Sequence, residues 1–143
     1  MKSDNNVKSV LVDDGVSHSI LNKGHKFENI NTTNIKFLEN QLNYKEGDSW
    51  AVRVVYNELF GGVIIKQNPG EGNRRHYHPD ADECWVVLEG SYEWEIDGAT
   101  NIVSQGDIVL VKANTWHKIT VVGKSPAARL AITRPDVNHV YED

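Results

Sequence analysis

From Ser49 onward the chain falls into short apolar-rich runs separated by turn residues at intervals of roughly ten residues, the spacing of an all-β domain. The runs are WAVRVVY, GGVIIKQ, HYH, ECWVVLEG, YEWEID, DIVLV, HKITVV and ARLAIT. The breaks between them hold Asn68-Pro69-Gly70, Pro79-Asp80, Asp97-Gly98, Gln105-Gly106, Gly123 to Pro126 and Arg134-Pro135. Asp97-Gly98 is a strong hairpin signal, because a type I′ turn needs positive φ at both central positions. Several strands and no clear long helix predict a sandwich or a closed barrel, which leaves few strand edges exposed. Residues 1–45 are weakly patterned, and within them residues 37–43, FLENQLN, fit a short helix or a strand about equally. The expected division is a lead-in over 1–45 and a barrel over 46–143, with no internal repeat, low-complexity tract or linker.

Composition narrows the class. The chain has 143 residues, 39% hydrophobic and 24% charged, with a net charge of -5. That describes one globular domain and disfavours nucleic acid as a partner. No apolar run approaches the ~20 residues needed to span a bilayer. The polar N-terminal stretch lacks the apolar core of a secretion signal, so a cytoplasmic protein is expected. The single cysteine, Cys84, excludes an internal disulfide and a thiolate metal cluster, and reads as a small buried apolar residue.

The candidate chemistry lies between Gly70 and Gly90. His76 and His78 are two apart, so on a strand their side chains leave the same face. Pro79-Asp80 then starts a turn, and Glu83 heads the next run, where antiparallel pairing would bring it beside the two histidines. His117 opens the later run HKITVV. Singly, each residue has a bland reading: a polar strand face, a strand-start carboxylate, a surface histidine. Jointly, three imidazoles and a carboxylate suit Fe(II), Mn(II), Ni(II), Co(II), Cu(II) or Zn(II) and match Ca(II) or Mg(II) poorly. Such a set leaves one or two coordination positions open on a five- or six-coordinate ion.

These residues resemble the cupin superfamily. Gly70, His76, His78, Glu83 and Gly90 stand at every fixed position of the first cupin motif. The second motif opens at Gly106 and keeps its histidine as His117. Lys112, Asn114 and Val121 stand where that motif has proline, glycine and asparagine. Asn114 can adopt the left-handed backbone that glycine would supply. Fifteen residues separate the two motifs, as in compact microbial cupins. The resemblance implies a double-stranded β-helix, a jelly-roll barrel of two antiparallel sheets. It further implies one divalent metal inside, held by His76, His78, Glu83 and His117, and a homodimer onto which the lead-in packs.

Alternation suggests what surrounds that site. With Glu83 inward, Trp85 and Val87 share its face. Tyr92, Trp94 and Ile96 share a face opposite Glu93 and Glu95, so the aromatic set should point in, and Ile119 and Val121 follow His117. Trp85, Tyr92 and Trp94 would then form an aromatic wall, chiefly as core. Arg74 would continue the inward face of His76, and Arg53 interrupts an apolar strand. An arginine inside a barrel needs an internal carboxylate or an anionic substrate. His18, His25 and His139 lie outside the pattern and receive no role. The expected function is a metal enzyme on a small, oxygen-bearing substrate, anionic if an arginine faces the pocket. Fe(II)-dependent dioxygenase-type chemistry leads and isomerase-type chemistry follows; the alternative is a non-catalytic metal-containing barrel that binds or senses a small molecule.

Overall fold

The computed structural model describes residues 49–142. The lead-in over 1–45 and the segment 37–43 lie outside the described residues. Ten strands follow in order: β1 (Trp50–Tyr56), β2 (Gly61–Gln67), β3 (Gly72–Tyr77), β4 (Glu83–Glu89), β5 (Ser91–Ile96), β6 (Ala99–Ser104), β7 (Ile108–Val111), β8 (His117–Val122), β9 (Ala127–Thr133) and β10 (Val140–Tyr141). No helix occurs among the described residues. Two antiparallel five-stranded sheets face each other, one ordered β1-β2-β9-β4-β7 and the other β10-β3-β8-β5-β6.

The pairs β5·β6, β4·β7, β3·β8 and β2·β9 are nested about a single turn. A long hairpin rolled up around that turn, with alternate pairs sent to opposite sheets, gives this jelly-roll barrel. The turn is Asp97-Gly98, with φ of 52° and 85°, between the paired residues Ile96 and Ala99. Both central residues have positive φ, as the type I′ turn requires. Gly90, which closes the first histidine-bearing stretch, turns the chain from β4 to β5 at φ 73°, and a Cβ there would lie 2.7 Å from Ala127. Asn114 has φ 65°, the left-handed conformation expected of it.

The inward faces follow the alternation. Trp85, Val87, Tyr92, Trp94, Ile119 and Val121 pack in one core with Ala51, Val63, Ile65 and Val111. A smaller cluster of Trp50, Val54 and Ile64 lies on the other face of the first sheet. Two strands go beyond the sequence pattern. In β6 the first four residues are exposed, so it shows no apolar alternation, and β10 has only two residues. Cys84 is half-buried rather than buried, because it points away from the core on β4.

Candidate metal centre

β3, β8 and β4 bring His76, His117 and Glu83 to one end of the barrel interior, and His78 joins them from just past β3. His76 and His117 are direct cross-strand partners. Glu83 arrives differently from the sequence expectation. β4 lies in the opposite sheet, paired with β7 and β9, so Glu83 meets the histidines across the barrel and not along a shared ladder. None of the four is more than 5% exposed. The imidazole centroids of His76 stand 4.2 Å from those of His117 and 4.9 Å from those of His78. Glu83 Oε1 is 3.4 Å from His78 Nε2.

Hydrogen bonding settles which ring nitrogens face inward. Nδ1 of His76 bonds the Arg74 carbonyl at 2.6 Å, Nδ1 of His78 the Asn138 carbonyl at 2.9 Å and Nδ1 of His117 the Thr115 carbonyl at 2.9 Å. A carbonyl can only accept, so each Nδ1 carries the proton and each neutral ring presents a lone pair at Nε2. Those three Nε2 atoms and Glu83 Oε1 are buried with no hydrogen-bond partner among the described residues. The donors of His78, Glu83 and His117 lie within 4.8 Å of one another, and the His76 ring adjoins those of His117 and His78. These buried acceptors fit a divalent transition metal, and the backbone carbonyls supply the outer support that orients metal-binding imidazoles.

The protonation states of His76, His117 and Glu83 agree with that fit, whereas that of His78 leans toward a proton shared with Glu83 in the metal-free protein. Burial, reinforced by His117 and the neighbouring histidines, holds His76 well below the usual imidazole range. Burial likewise lowers His117. Burial pushes Glu83 up, but His78 beside it outweighs that and the carboxyl ends below its ordinary value. For His78, burial lowers the pKa, yet Glu83, the Asn138 carbonyl and Asp80 together raise it.

The remaining sequence candidates take up varied places. Trp85 and Trp94 meet edge to face at 5.6 Å, and Trp94 stacks on His117 at 6.2 Å. Trp85 borders a cavity of about 10 Å³, room for roughly one water. His76, Glu83, Asn73, Thr133 and His139 also border it. Tyr92 is fully buried in the core. Arg53 is buried, lies over the Tyr56 ring at 4.1 Å and reaches the exposed carboxylate of Asp136 at 3.9 Å. Arg74 does not continue the inward face of His76. The β3·β8 register shifts between Asn73 and His76, and this bulge turns Asn73 inward in its place. The half-buried Arg74 guanidinium stands over the Tyr141 ring at 4.1 Å.

Two interior residues escaped the sequence reading. Arg129, in the run ARLAIT, has no exposed surface. It donates to Gln67 Oε1 at 2.7 Å and Asn73 Oδ1 at 3.0 Å and lies over Trp85 at 4.4 Å and Tyr92 at 5.1 Å. A charge inside an apolar strand run, read with the strand's alternation, was the signal for it. His139 is buried against His78 and His76, with ring centroids 4.5 and 5.2 Å away. No spacing in the sequence points to His139.

Residues 63–133 match the family model of the Cupin domain. Among curated proteins the chain is similar to Protein SchB of Streptomyces halstedii, 31% identical over 87 residues that cover 57% of this chain and 62% of the relative. It is also similar to quercetin 2,3-dioxygenase of Bacillus subtilis (strain 168), 26% identical over 84 residues that cover 59% of this chain and 25% of the relative. The matches thus span less than two thirds of these relatives' lengths. A crystal structure of a Klebsiella pneumoniae protein with a double-stranded β-helix domain superposes with a TM-score of 0.65 at 20% identity, covering 77% of this chain and 92% of that one. It supports the fold alone.

Proposed function

The chain carries a small cupin domain, and on that premise we propose that it is a metal-dependent enzyme. One divalent transition metal would be held by His76, His78, Glu83 and His117, and the substrate would be small, anionic and oxygen-bearing. The observation that carries this reading is four buried acceptor atoms without hydrogen-bond partners among the described residues, three of which, from His78, Glu83 and His117, lie within 4.8 Å of one another. Each would cost ~1–3 kcal/mol if left unsatisfied. A bound ion of this kind supplies Lewis acidity or a centre for oxygen chemistry.

The chain's own residues supply the rest. The three carbonyl-bonded imidazoles fix the donor directions, and the aromatic residues around them keep bulk water out. Among the buried described residues Glu83 is the only carboxylate, Arg53 reaches the carboxylate of Asp136, and Arg129 bonds only the neutral Gln67 and Asn73. Adding a divalent ion leaves the interior with surplus positive charge, which favours an anion. Of the substrate contacts expected from the sequence, Arg53, Arg74, Trp85, Tyr92 and Trp94, the proposal rests on Trp85, which borders the free space, while Arg74 faces Tyr141 and Arg53 reaches Asp136.

Fe(II) is the favoured metal and dioxygenase-type chemistry the favoured reaction, supported by the likeness to a quercetin 2,3-dioxygenase. Isomerase-type chemistry is next, and Mn, Ni, Zn, Co or Cu suit the same donors. A second reading, a non-catalytic metal-containing barrel, is favoured by the small free volume of about 10 Å³ beside the donors.

We also propose a cytoplasmic homodimer. Its support is an apolar groove of about 200 Å³ on the outer side of the first sheet, lined by the exposed Phe60 and the half-buried Val55, Leu88, Leu130 and Ile132 above the buried Val54 and Ile64. The lone thiol of Cys84 fits a reducing compartment. No helix among the described residues is long and apolar enough to cross a membrane.

Elemental analysis of the purified protein should find about one transition metal per chain. Replacing His76 or His117 by alanine should abolish uptake while far-UV circular dichroism stays that of the barrel. A protein that takes up none of Fe, Mn, Ni or Zn sinks the proposal. Oxygen consumption with a panel of small carboxylic and phosphorylated acids then separates dioxygenase from isomerase or binder.

A further inference from the structure

His139 belongs to neither of the two sequence motifs, yet it sits in the wall of the same cavity as His76 and Glu83. It is 7% exposed, and its ring stacks on Tyr141 with an interplanar angle of 10°. The segment that carries it is fastened to the site from both sides. Ahead of it, the Asn138 carbonyl accepts the His78 Nδ1 proton, and Asn138 donates its backbone N–H and its side-chain amide to Asp80. Behind it, β10 pairs with β3, placing Tyr141 opposite His76.

His76 and His117 each bond the carbonyl two residues earlier, Arg74 and Thr115. Burial lowers the pKa of His139, and the backbone of Val137, two residues before it, raises that pKa more weakly.

The distances point the same way. One donor atom each from His76, His78 and His139 lie within 4.8 Å of one another, and so do donors from His78, Glu83 and His117. Two ligands on opposite sides of one ion, at ~2.1 Å each, are separated by about 4.2 Å. The two trios share His78, as a ligand flanked by the other four would be shared, and the His76 ring adjoins that of His117 at 4.2 Å between centroids.

We propose that His139 is a fifth protein ligand to the metal, giving four imidazoles and one carboxylate. The inference rests on the metal-centre reading and sharpens it. A six-coordinate ion would keep one open position and not two. The substrate would then bind through a single atom, or displace His139 to bind through two.

The test needs no activity. Metal-free wild-type protein is loaded with Co(II) or Zn(II), and X-ray absorption counts the imidazoles at the metal. Four are expected in the wild type and three in His139→Ala, with the variant's metal affinity lower by at least roughly tenfold. Three imidazoles in the wild type, or a folded variant with unchanged affinity and spectrum, overturns the fifth ligand and leaves the four-residue centre standing. A wild-type protein that binds no metal removes both. The wild-type count decides the question even where the variant fails to fold.

Discussion

The barrel interior holds two polar centres built on opposite plans. At one end, His76, His78, His117 and Glu83 cluster with buried acceptors that have no hydrogen-bond partner among the described residues. Deeper in, Arg129 is a donor-only cation whose hydrogen-bond partners, Gln67 and Asn73, are neutral. The first centre lacks positive charge; the second carries it built into the chain. Trp85 lies between them, beneath the guanidinium and beside the cavity at the histidines. A buried charge is tolerated when its donors are satisfied and aromatic faces replace some of the lost hydration. Buried acceptors without donors are tolerated when a cation is their intended partner.

The largest expected effect tests the structural side of that contrast. Arg129→Ala would leave Gln67 and Asn73 without their donor and open a cavity between Trp85 and Tyr92. A loss of about 3–5 kcal/mol in folding stability is expected, read by denaturant unfolding. Arg129→Met keeps most of the volume and removes the charge, so it should be far milder, within about 1–2 kcal/mol of the parent in either direction. If the two variants lose equal stability, the guanidinium matters for its charge and not for the space it fills.

What was legible in the sequence divides along the same line. His76, His78 and Glu83 are close in the chain, and short spacing translates directly into a shared face and a following turn. The inward directions of Trp85, Tyr92, Trp94 and Ile119 needed only strict alternation, and Asp97-Gly98 needed only turn chemistry. The sheet that receives Glu83 was not legible. Rolling the long hairpin sends consecutive strands to opposite sheets, and that is a property of the whole chain. Arg74 missed its expected side because one bulge reverses the alternation. His139 was invisible because β10 is two residues long and reaches the site only by pairing with β3. Arg129 could have been found by applying to ARLAIT the alternation used on the other strands.

A second, smaller effect separates the two centres by pH. Burial holds His76 well below its ordinary value, lowers His117, and brings His139 down to about 4. In the unfolded chain these imidazoles protonate near pH 6.5. A depressed folded pKa means that the stability is present above pH 6.5 and is lost as pH falls toward the folded value. Each histidine kept neutral contributes about 1.4 kcal/mol per pH unit in that window. His78 has the opposite sign: its raised pKa gives stability that is present at low pH and lost as pH rises through the folded value. Three against one, the metal-free protein should lose thermal stability from about pH 6.5 down to pH 5, with Arg129 contributing nothing to the slope. A melting temperature that stays flat over that range would show the histidine end to be wetter than its burial implies.

The smallest effect isolates how the histidine end is held. Asp80 accepts the Asn138 backbone N–H at 3.3 Å and its side-chain amide at 2.9 Å, and Arg134 reaches it at 3.2 Å. The Asn138 carbonyl in turn fixes the His78 ring. In Asp80→Asn, one accepting oxygen is exchanged for a donor facing the Asn138 donors, and the attraction to the half-exposed Arg134 is lost. Folding stability should change by only about 1 kcal/mol or less, since the ion pair is on the surface. Metal affinity should fall roughly tenfold, because the carbonyl that holds His78 in its tautomer is no longer anchored. Competition with a chelator measures that affinity, and unfolding measures the stability. A variant that loses stability and affinity in proportion would mean that Asp80 only fastens the chain. Affinity lost at nearly constant stability would show that the turn after β3 is shaped for the direction of one imidazole.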